Sequence, residues 1–209
     1  MEKKIIQSLF ANVVGKDDLR PIMKGVHFES ERCYASDGHL LVIYEESQSK
    51  LDGKTMSADG LIIEGIYPKV DAVFPKKEDY GTKLSIDVQQ LKDACLWHLK
   101  QEDSDDHDAV VINGVGYLIR SMARILNVMT ASGNPQKVAF YNQPNRGAVF
   151  IGTKIKGMLM TFPFEESNVD SERGDECMSV VLSYENLINE YVFNSWKKPQ
   201  KIDSLAWLD

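Results

Sequence analysis

Residues 19–46 constrain the fold of this chain more than any other stretch, because they predict three short strands joined by tight turns. Arg20-Pro21 disfavours helix where the stretch begins. Apolar and polar side chains then alternate over residues 26–34, as in a strand with one buried face. Ser36-Asp37-Gly38-His39 supplies a turn before the apolar run at residues 40–44. The stretch therefore predicts a β-meander.

Hydrophobic periodicity predicts four helices in the whole chain. They are expected at residues 3–14, 87–100, 115–129 and 183–196. Gly15 ends the first helix, and Asp87 and Ser183 can cap the second and the fourth. Short strands are expected at residues 61–63 and 179–182, the first of them buried, and residues 83–86 lead into the second helix. The third helix is expected to bury Leu118, Met122, Ile125 and Met129 and to present Tyr117, Arg120, Ser121 and Arg124 on another side.

The order of these elements indicates an internal repeat. The first helix is followed by the meander, and the third helix is followed by strands expected at residues 137–141, 148–152 and 158–162. A helix with three antiparallel strands thus occurs twice, with little residue identity between the copies. The chain is predicted to have an α+β fold.

Length and composition are ordinary for a globular protein. The 209 residues are 43% hydrophobic and 26% charged, with a net charge of -7. We find no run of about 18 apolar residues and no signal peptide, and we therefore expect a cytoplasmic protein without a membrane segment. The net charge argues against a protein that coats nucleic acid over its whole surface, although it permits a local basic face.

The sequence offers no clear active centre. Cys33, Cys95 and Cys177 are far apart and predict reduced thiols rather than disulfides or a zinc site. The four histidines lack the spacing of a metal motif, and no phosphate loop, dinucleotide fingerprint or nucleophile elbow occurs. The acidic run at residues 102–108 lacks the pattern of a calcium loop and is expected to be solvated. We predict no cofactor, no metal and no enzyme activity.

The meander carries a family resemblance. Pro21 precedes Gly25-Val26-His27-Phe28-Glu29, and Ala35-Ser36-Asp37-Gly38-His39 follows and is itself followed by leucine. This order resembles the middle domain of the bacterial DNA sliding clamp, the polymerase III beta subunit. Residues 66–75 are similar to the interdomain connector of that family, with an aromatic-proline pair and an apolar-apolar-proline ending.

Two later segments extend the resemblance to about two thirds of the chain. Residues 112–119 are expected to open a helix, much as the last helix of the family begins. Residues 156–162 resemble the terminal Met-Pro-Met strand that follows it. Residues 165–209 lie outside the resemblance, and their tail at residues 205–208 is expected to dock on the body or on a neighbouring subunit.

The resemblance implies a DNA-clamp-like fold, with repeated helix-plus-meander units that form curved sheets with helices on one face. The expected units are residues 1–75, residues 76–165 and a strand-helix extension at residues 166–209. The implied function is that of a replication accessory (processivity) protein, which binds duplex DNA without sequence specificity and tethers a polymerase or clamp-loader peptide. A homo-oligomeric ring or part-ring is expected.

Two sets of site residues follow from this resemblance. The expected DNA-facing cations are Lys3, Lys4, Lys92, Arg120 and Arg124. The expected lining of a partner-peptide pocket is Ser36, Gly38, His39, Leu41, Pro75, Asn113, Tyr117, Met160 and Phe162. Leu40 and Thr161 replace an arginine and a proline of the family pattern, and Asn113 aligns only with a one-residue insertion.

Alternatives to both sets of site residues remain open. In the alternative to the first set, the two arginines only make the helix face soluble. In the alternative to the second set, the pocket residues are ordinary parts of the core and the turns. A clamp-fold adaptor that binds a partner peptide without encircling DNA is the second reading of the function. An enzyme with a site near Asp37, His39 and Tyr117 is the third.

Overall fold

The computed structural model describes residues 2–46, 50–131, 133–143, 147–171 and 179–197. Cys177 and the tail at residues 205–208 lie outside these ranges. The helices are α1 (Glu2–Asn12), α2 (Val88–His98), α3 (Ile119–Thr130) and α4 (Tyr184–Lys197). The strands are β1 (Val26–Glu29), β2 (Arg32–Ser36), β3 (Leu40–Glu45), β4 (Lys54–Met56), β5 (Ile62–Ile63), β6 (Thr82–Leu84), β7 (Ala109–Ile112), β8 (Val115–Leu118), β9 (Ala139–Gln143), β10 (Gly147–Ile151), β11 (Ile155–Leu159) and β12 (Val181–Ser183).

Two helix-plus-meander modules share one antiparallel sheet. Its nine strands run in the order β5-β4-β1-β2-β3-β11-β10-β9-β6. β3 pairs with β11 from Tyr44↔Ile155 to Leu40↔Leu159, and this pairing joins the module α1-β1-β2-β3 to the module α3-β9-β10-β11. The predicted repeat and the predicted α+β fold are confirmed. The division of the chain at residues 75 and 165 stays a prediction.

The central strand β3 is covered on both faces, which explains its uninterrupted apolar sequence. Leu40, Val42 and Tyr44 belong to the core between the sheet and the helices. Leu41 and Ile43 face the opposite side, where they pack in a second cluster. That cluster is closed by Tyr67 and Val70 of residues 66–75, which we call the connector.

The helices form a layer on one face of the sheet. α1 and α3 are in contact with each other, and their fully buried residues include Ile5 and Leu9 of α1 and Met122 and Ile125 of α3. Burying each such large side chain stabilises the fold by roughly 1.5–3 kcal/mol. No described helix is long and apolar enough to span a membrane.

The expectation that residues 112–119 open a helix is wrong. They belong to the hairpin β7–β8, whose two-residue turn is Asn113-Gly114 with φ values of 49° and 74°. Asn-Gly is the preferred sequence for a turn with two positive φ angles, so the signal was present in the sequence. α3 therefore begins at Ile119, and Tyr117 is fully buried on a strand. Ser121, expected on the solvent side, is also buried.

Two further expectations need correction. β5 forms at the predicted position, but it is an outermost strand paired only with β4. Ile62 within it and Leu61 before it are exposed rather than buried. The acidic run at residues 102–108 is not uniformly solvated, because Asp108 is fully buried. Its carboxylate accepts hydrogen bonds from His98 Nε2 and from the Asp105 and Val180 backbone amides, each at 2.8 Å.

The C-terminal segment joins the body through this carboxylate and through packing. β12 pairs in parallel with β7, and α4 packs on α2. The predicted caps are confirmed, since Asp87 accepts hydrogen bonds from two backbone amides of α2. Ser183 Oγ accepts one from the Asn186 amide at 3.2 Å.

Candidate partner-binding pocket and helix face

An apolar pocket of about 170 Å³ lies where β3 and β11 meet the connector. Five of the predicted residues line it, namely Ser36, Gly38, His39, Leu41 and Met160. The remaining described lining residues were not among the predicted set and are Met23, Leu40, Tyr67, Pro68, Lys69, Val70, Val73 and Met158. Its apolar residues can hold an apolar side chain of a ligand, and flexible methionines adapt to its shape.

The turn before β3 forms one wall of the pocket, and Asp37 fixes its shape. Asp37 Oδ1 accepts hydrogen bonds from the backbone amides of His39 at 2.8 Å and Leu40 at 3.0 Å. Gly38 has a φ of +95°, and a Cβ there would lie 2.6 Å from Arg20 Nη1. The turn is tied to the end of β11, because Met160 N donates to His39 O at 2.9 Å.

The connector supplies the opposite wall through Tyr67. Its phenolic oxygen accepts a hydrogen bond from the Ser36 amide at 2.9 Å. Its ring packs against those of His27 and Tyr34, with centroids 5.2 and 5.3 Å away. Burial raises the pKa of Tyr67, so the hydroxyl stays protonated at physiological pH.

The other four predicted pocket residues lie elsewhere. Pro75 lines an adjoining pocket of about 410 Å³ that shares Val73 and Met158 with the first. Asn113 is exposed in the β7–β8 turn, and the Tyr117 hydroxyl donates to the Asn142 side chain inside the protein. Phe162 follows β11, where its amide donates to Gly116 O at 2.7 Å. Three of the four therefore group around the hairpin rather than the pocket.

The predicted cations all lie on or between the helices, but their surroundings differ. Lys3 and Lys4 are exposed on α1. Lys92 is mostly buried, with its Nζ 3.3 Å from Thr130 Oγ1 of α3. Arg120 is half exposed and forms an ion pair with Asp106. The exposed residues among the predicted cations are therefore Lys3, Lys4 and Arg120, of which Arg120 is paired.

Arg124 links the two modules and the pocket turn. Its Nε donates to the carbonyl of Asn12 at the end of α1 at 2.7 Å. Its Nη1 donates to Asp37 Oδ2 at 2.7 Å, and Asp37 is the residue that fixes the pocket turn. Asn127 of α3 adds a bond to the Asn12 side chain at 3.2 Å. The predictions from sequence placed Arg124 at a DNA-facing surface and missed this link.

The arrangement as a whole is an α+β fold of the DNA-clamp type, with a pocket beside the connector. No protein-family model and no curated protein sequence matches the chain. Solved structures do match, and bacterial DNA sliding clamps are among them.

Three of these structures show the extent of the likeness. The clamp of Bartonella birtlesii bound to griselimycin has a TM-score of 0.56 at 13% identity, over 78% of this chain and 64% of the clamp. The beta subunit of Streptococcus pyogenes gives 0.59 at 11% identity, over 77% and 64%. The beta subunit of Borrelia burgdorferi in complex with a natural product gives 0.57 at 12% identity, over 79% and 62%.

These matches establish the fold of this chain. The aligned part spans a little less than two thirds of each clamp chain. The likeness extends the resemblance found in the sequence, because it covers 78% of the chain.

Proposed function

We propose that this chain is a non-enzymatic, clamp-like accessory protein of DNA replication. In an oligomer it surrounds duplex DNA without reading the sequence, and it tethers a polymerase or clamp-loader peptide. One observation carries the proposal: two helix-plus-meander modules join through β3 and β11 with both helices on the same face of the sheet. This is the architecture shared with the clamp structures.

The exposed face of the helices is the proposed DNA-facing surface. Sliding requires contacts to phosphates rather than to base edges, and such contacts are electrostatic and salt-dependent. Lys3 and Lys4 are exposed there, and Arg120 is half exposed. Lys92 and Arg124 hold the helices of this surface together, because each forms a hydrogen bond between α3 and a neighbouring helix.

The pocket beside the connector is the proposed tether for a partner peptide. An apolar side chain buried there gains roughly 1.5–3 kcal/mol. Met160 is 50% exposed at the rim, so a ligand can cover it without disturbing the core. The turn that shapes the pocket is held by Arg124 of the second module, so the pocket depends on how the two modules are joined.

A peptide-binding adaptor that does not surround DNA is the second candidate. The pairing of Arg120 with Asp106 and of Arg124 with Asp37 favours it, because paired cations attract phosphate less strongly than free ones. The net charge of -7 acts in the same direction.

Two measurements separate these functions. Light scattering gives the mass in solution, and a ring requires a multiple of the 23.6 kDa chain. Duplex binding as a function of salt is then compared for Lys3→Glu/Lys4→Glu and for the matched control Lys76→Glu/Lys77→Glu, since Lys76 and Lys77 are exposed beyond the connector. We expect only the first variant to lose affinity, with a salt slope smaller by roughly 2.

Different results would contradict the proposal. Equal loss in both variants would show that net charge, not the helix face, controls DNA binding. A persistent monomer that binds a peptide but no duplex would support the adaptor instead.

A further inference from the structure

A second cleft adjoins the apolar pocket across Tyr67. It has a volume of about 550 Å³ and lies over the exposed sides of β1 and β2. Tyr67, Lys69 and Val70 line both cavities, so the two lie side by side along the connector. A ligand longer than a single side chain can therefore pass from the pocket into the cleft.

Exposed apolar residues follow the same path. Ile66, on the cleft, is 94% exposed. Val73 and Met160, on the pocket, are 58% and 50% exposed. Grouped apolar residues at the rim of a cavity are typical of a surface that a partner covers. Together they mark a path longer than the pocket alone.

Lys69 is the charged residue that the pocket and the cleft share. The other charged residues that line the cleft are Glu29, Arg32 and Asp71, and Arg32 pairs with both carboxylates. Lys69 is the only Lys, Arg, Asp or Glu among the described residues that line the apolar pocket, and it is exposed. It makes no ion pair with a described residue. The neighbouring Arg32 is occupied, because its guanidinium donates to both carboxylate oxygens of Asp71 at 2.7 and 2.6 Å.

Tyr67 also lines both the pocket and the cleft. The Tyr67 oxygen already accepts from the Ser36 amide, and its proton remains for donation to another acceptor. A lysine ammonium has donors and no acceptor. The polar groups at the junction of pocket and cleft are thus suited to a carboxylate.

We propose that the pocket and the cleft form one trough for an extended segment of a partner protein. The segment places an apolar side chain in the pocket, an Asp or Glu side chain against Lys69, and its continuation over the cleft. This inference rests on the peptide tethering proposed above and adds the chemistry of the partner.

Selection from a phage-displayed library of random peptides tests it. The full chain, its Lys69→Glu variant and the control Lys83→Glu are each used as bait, because Lys83 is exposed on β6 and lines neither cavity. We expect the wild-type chain and the control to select peptides with an Asp or Glu next to a large apolar residue. Lys69→Glu is expected to select Lys or Arg at that position. For one acidic peptide, Lys69→Gln should weaken binding by about two- to fivefold, as for an exposed ion pair.

A variant of the pocket itself separates failure of the inference about Lys69 from failure of peptide tethering. Met160→Ala removes part of the pocket rim without opening the core. Peptides that need Met160 but show no acidic preference would overturn only the inference about Lys69. If no selected peptide depends on Met160, peptide tethering through this pocket fails as well, and with it the inference.

Discussion

Replacing Asp108 by alanine tests how the C-terminal segment is attached to the clamp-like body. The carboxylate is fully buried and accepts hydrogen bonds from His98 Nε2 and from the amides of Asp105 and Val180. Alanine leaves those donors without this partner. A buried donor left unpaired costs about 1–3 kcal/mol. Because three donors lose this acceptor, we expect the free energy of unfolding to fall by about 3–5 kcal/mol.

Equilibrium unfolding in urea, followed by circular dichroism, measures the change. Asp106→Ala is the matched control, because Asp106 is in the same loop and pairs at the surface with Arg120. An exposed pair of this kind contributes about 0–1 kcal/mol. Asp108→Asn should fall between the two, since an amide oxygen can still accept from Val180. If Asp108→Ala and Asp106→Ala are equally stable, the proposed attachment is wrong.

Three further predictions concern the pocket and the module junction. Arg124→Ala should lower the free energy of unfolding by about 2–3 kcal/mol in the same urea titration, because two hydrogen bonds from a charged donor are lost. The control Arg120→Ala should lower it by under about 1 kcal/mol. Equal losses would contradict the bridging role of Arg124. Gly38→Ala should lower the free energy of unfolding by about 1–2 kcal/mol, because alanine disfavours a positive φ angle. Thermal unfolding measures this loss, and an unchanged melting temperature would contradict the turn geometry. Burial lowers the pKa of His27 below its ordinary 6.5, so the unfolded chain binds the proton more tightly and stability should fall as pH drops below about 6.5. His27→Gln should flatten that decline in urea titrations at successive pH values, and an equal slope in the variant would refute the assignment.

The parts of the fold that sequence predicted are those with local signals. The meander of residues 19–46 is specified by tight turns and alternation, and Asp87 carries the cap of its own helix. The strands β4 and β6 have three residues each, too few for a periodic pattern. The hairpin β7–β8 did have a local signal in Asn113-Gly114, and the family resemblance led to a helix there instead.

The site was only partly predictable for a related reason. The turn residues of the pocket are contiguous in sequence, and they were found. Tyr67 and Val70 reach the pocket only because the connector folds back over β3, which no local pattern shows. The bond between Arg124 and Asp37 joins residues 87 positions apart, and it depends on the pairing of the two modules.

The paired modules are proposed to form part of a ring around duplex DNA. Retention on a closed circular plasmid, measured at high salt before and after one restriction cut, tests it most directly, because salt removes electrostatic contacts but not a topological link. We expect the protein to remain on the closed circle and to leave once the DNA is linear. Release from both forms at the same salt concentration, or equal retention on both, would contradict the ring.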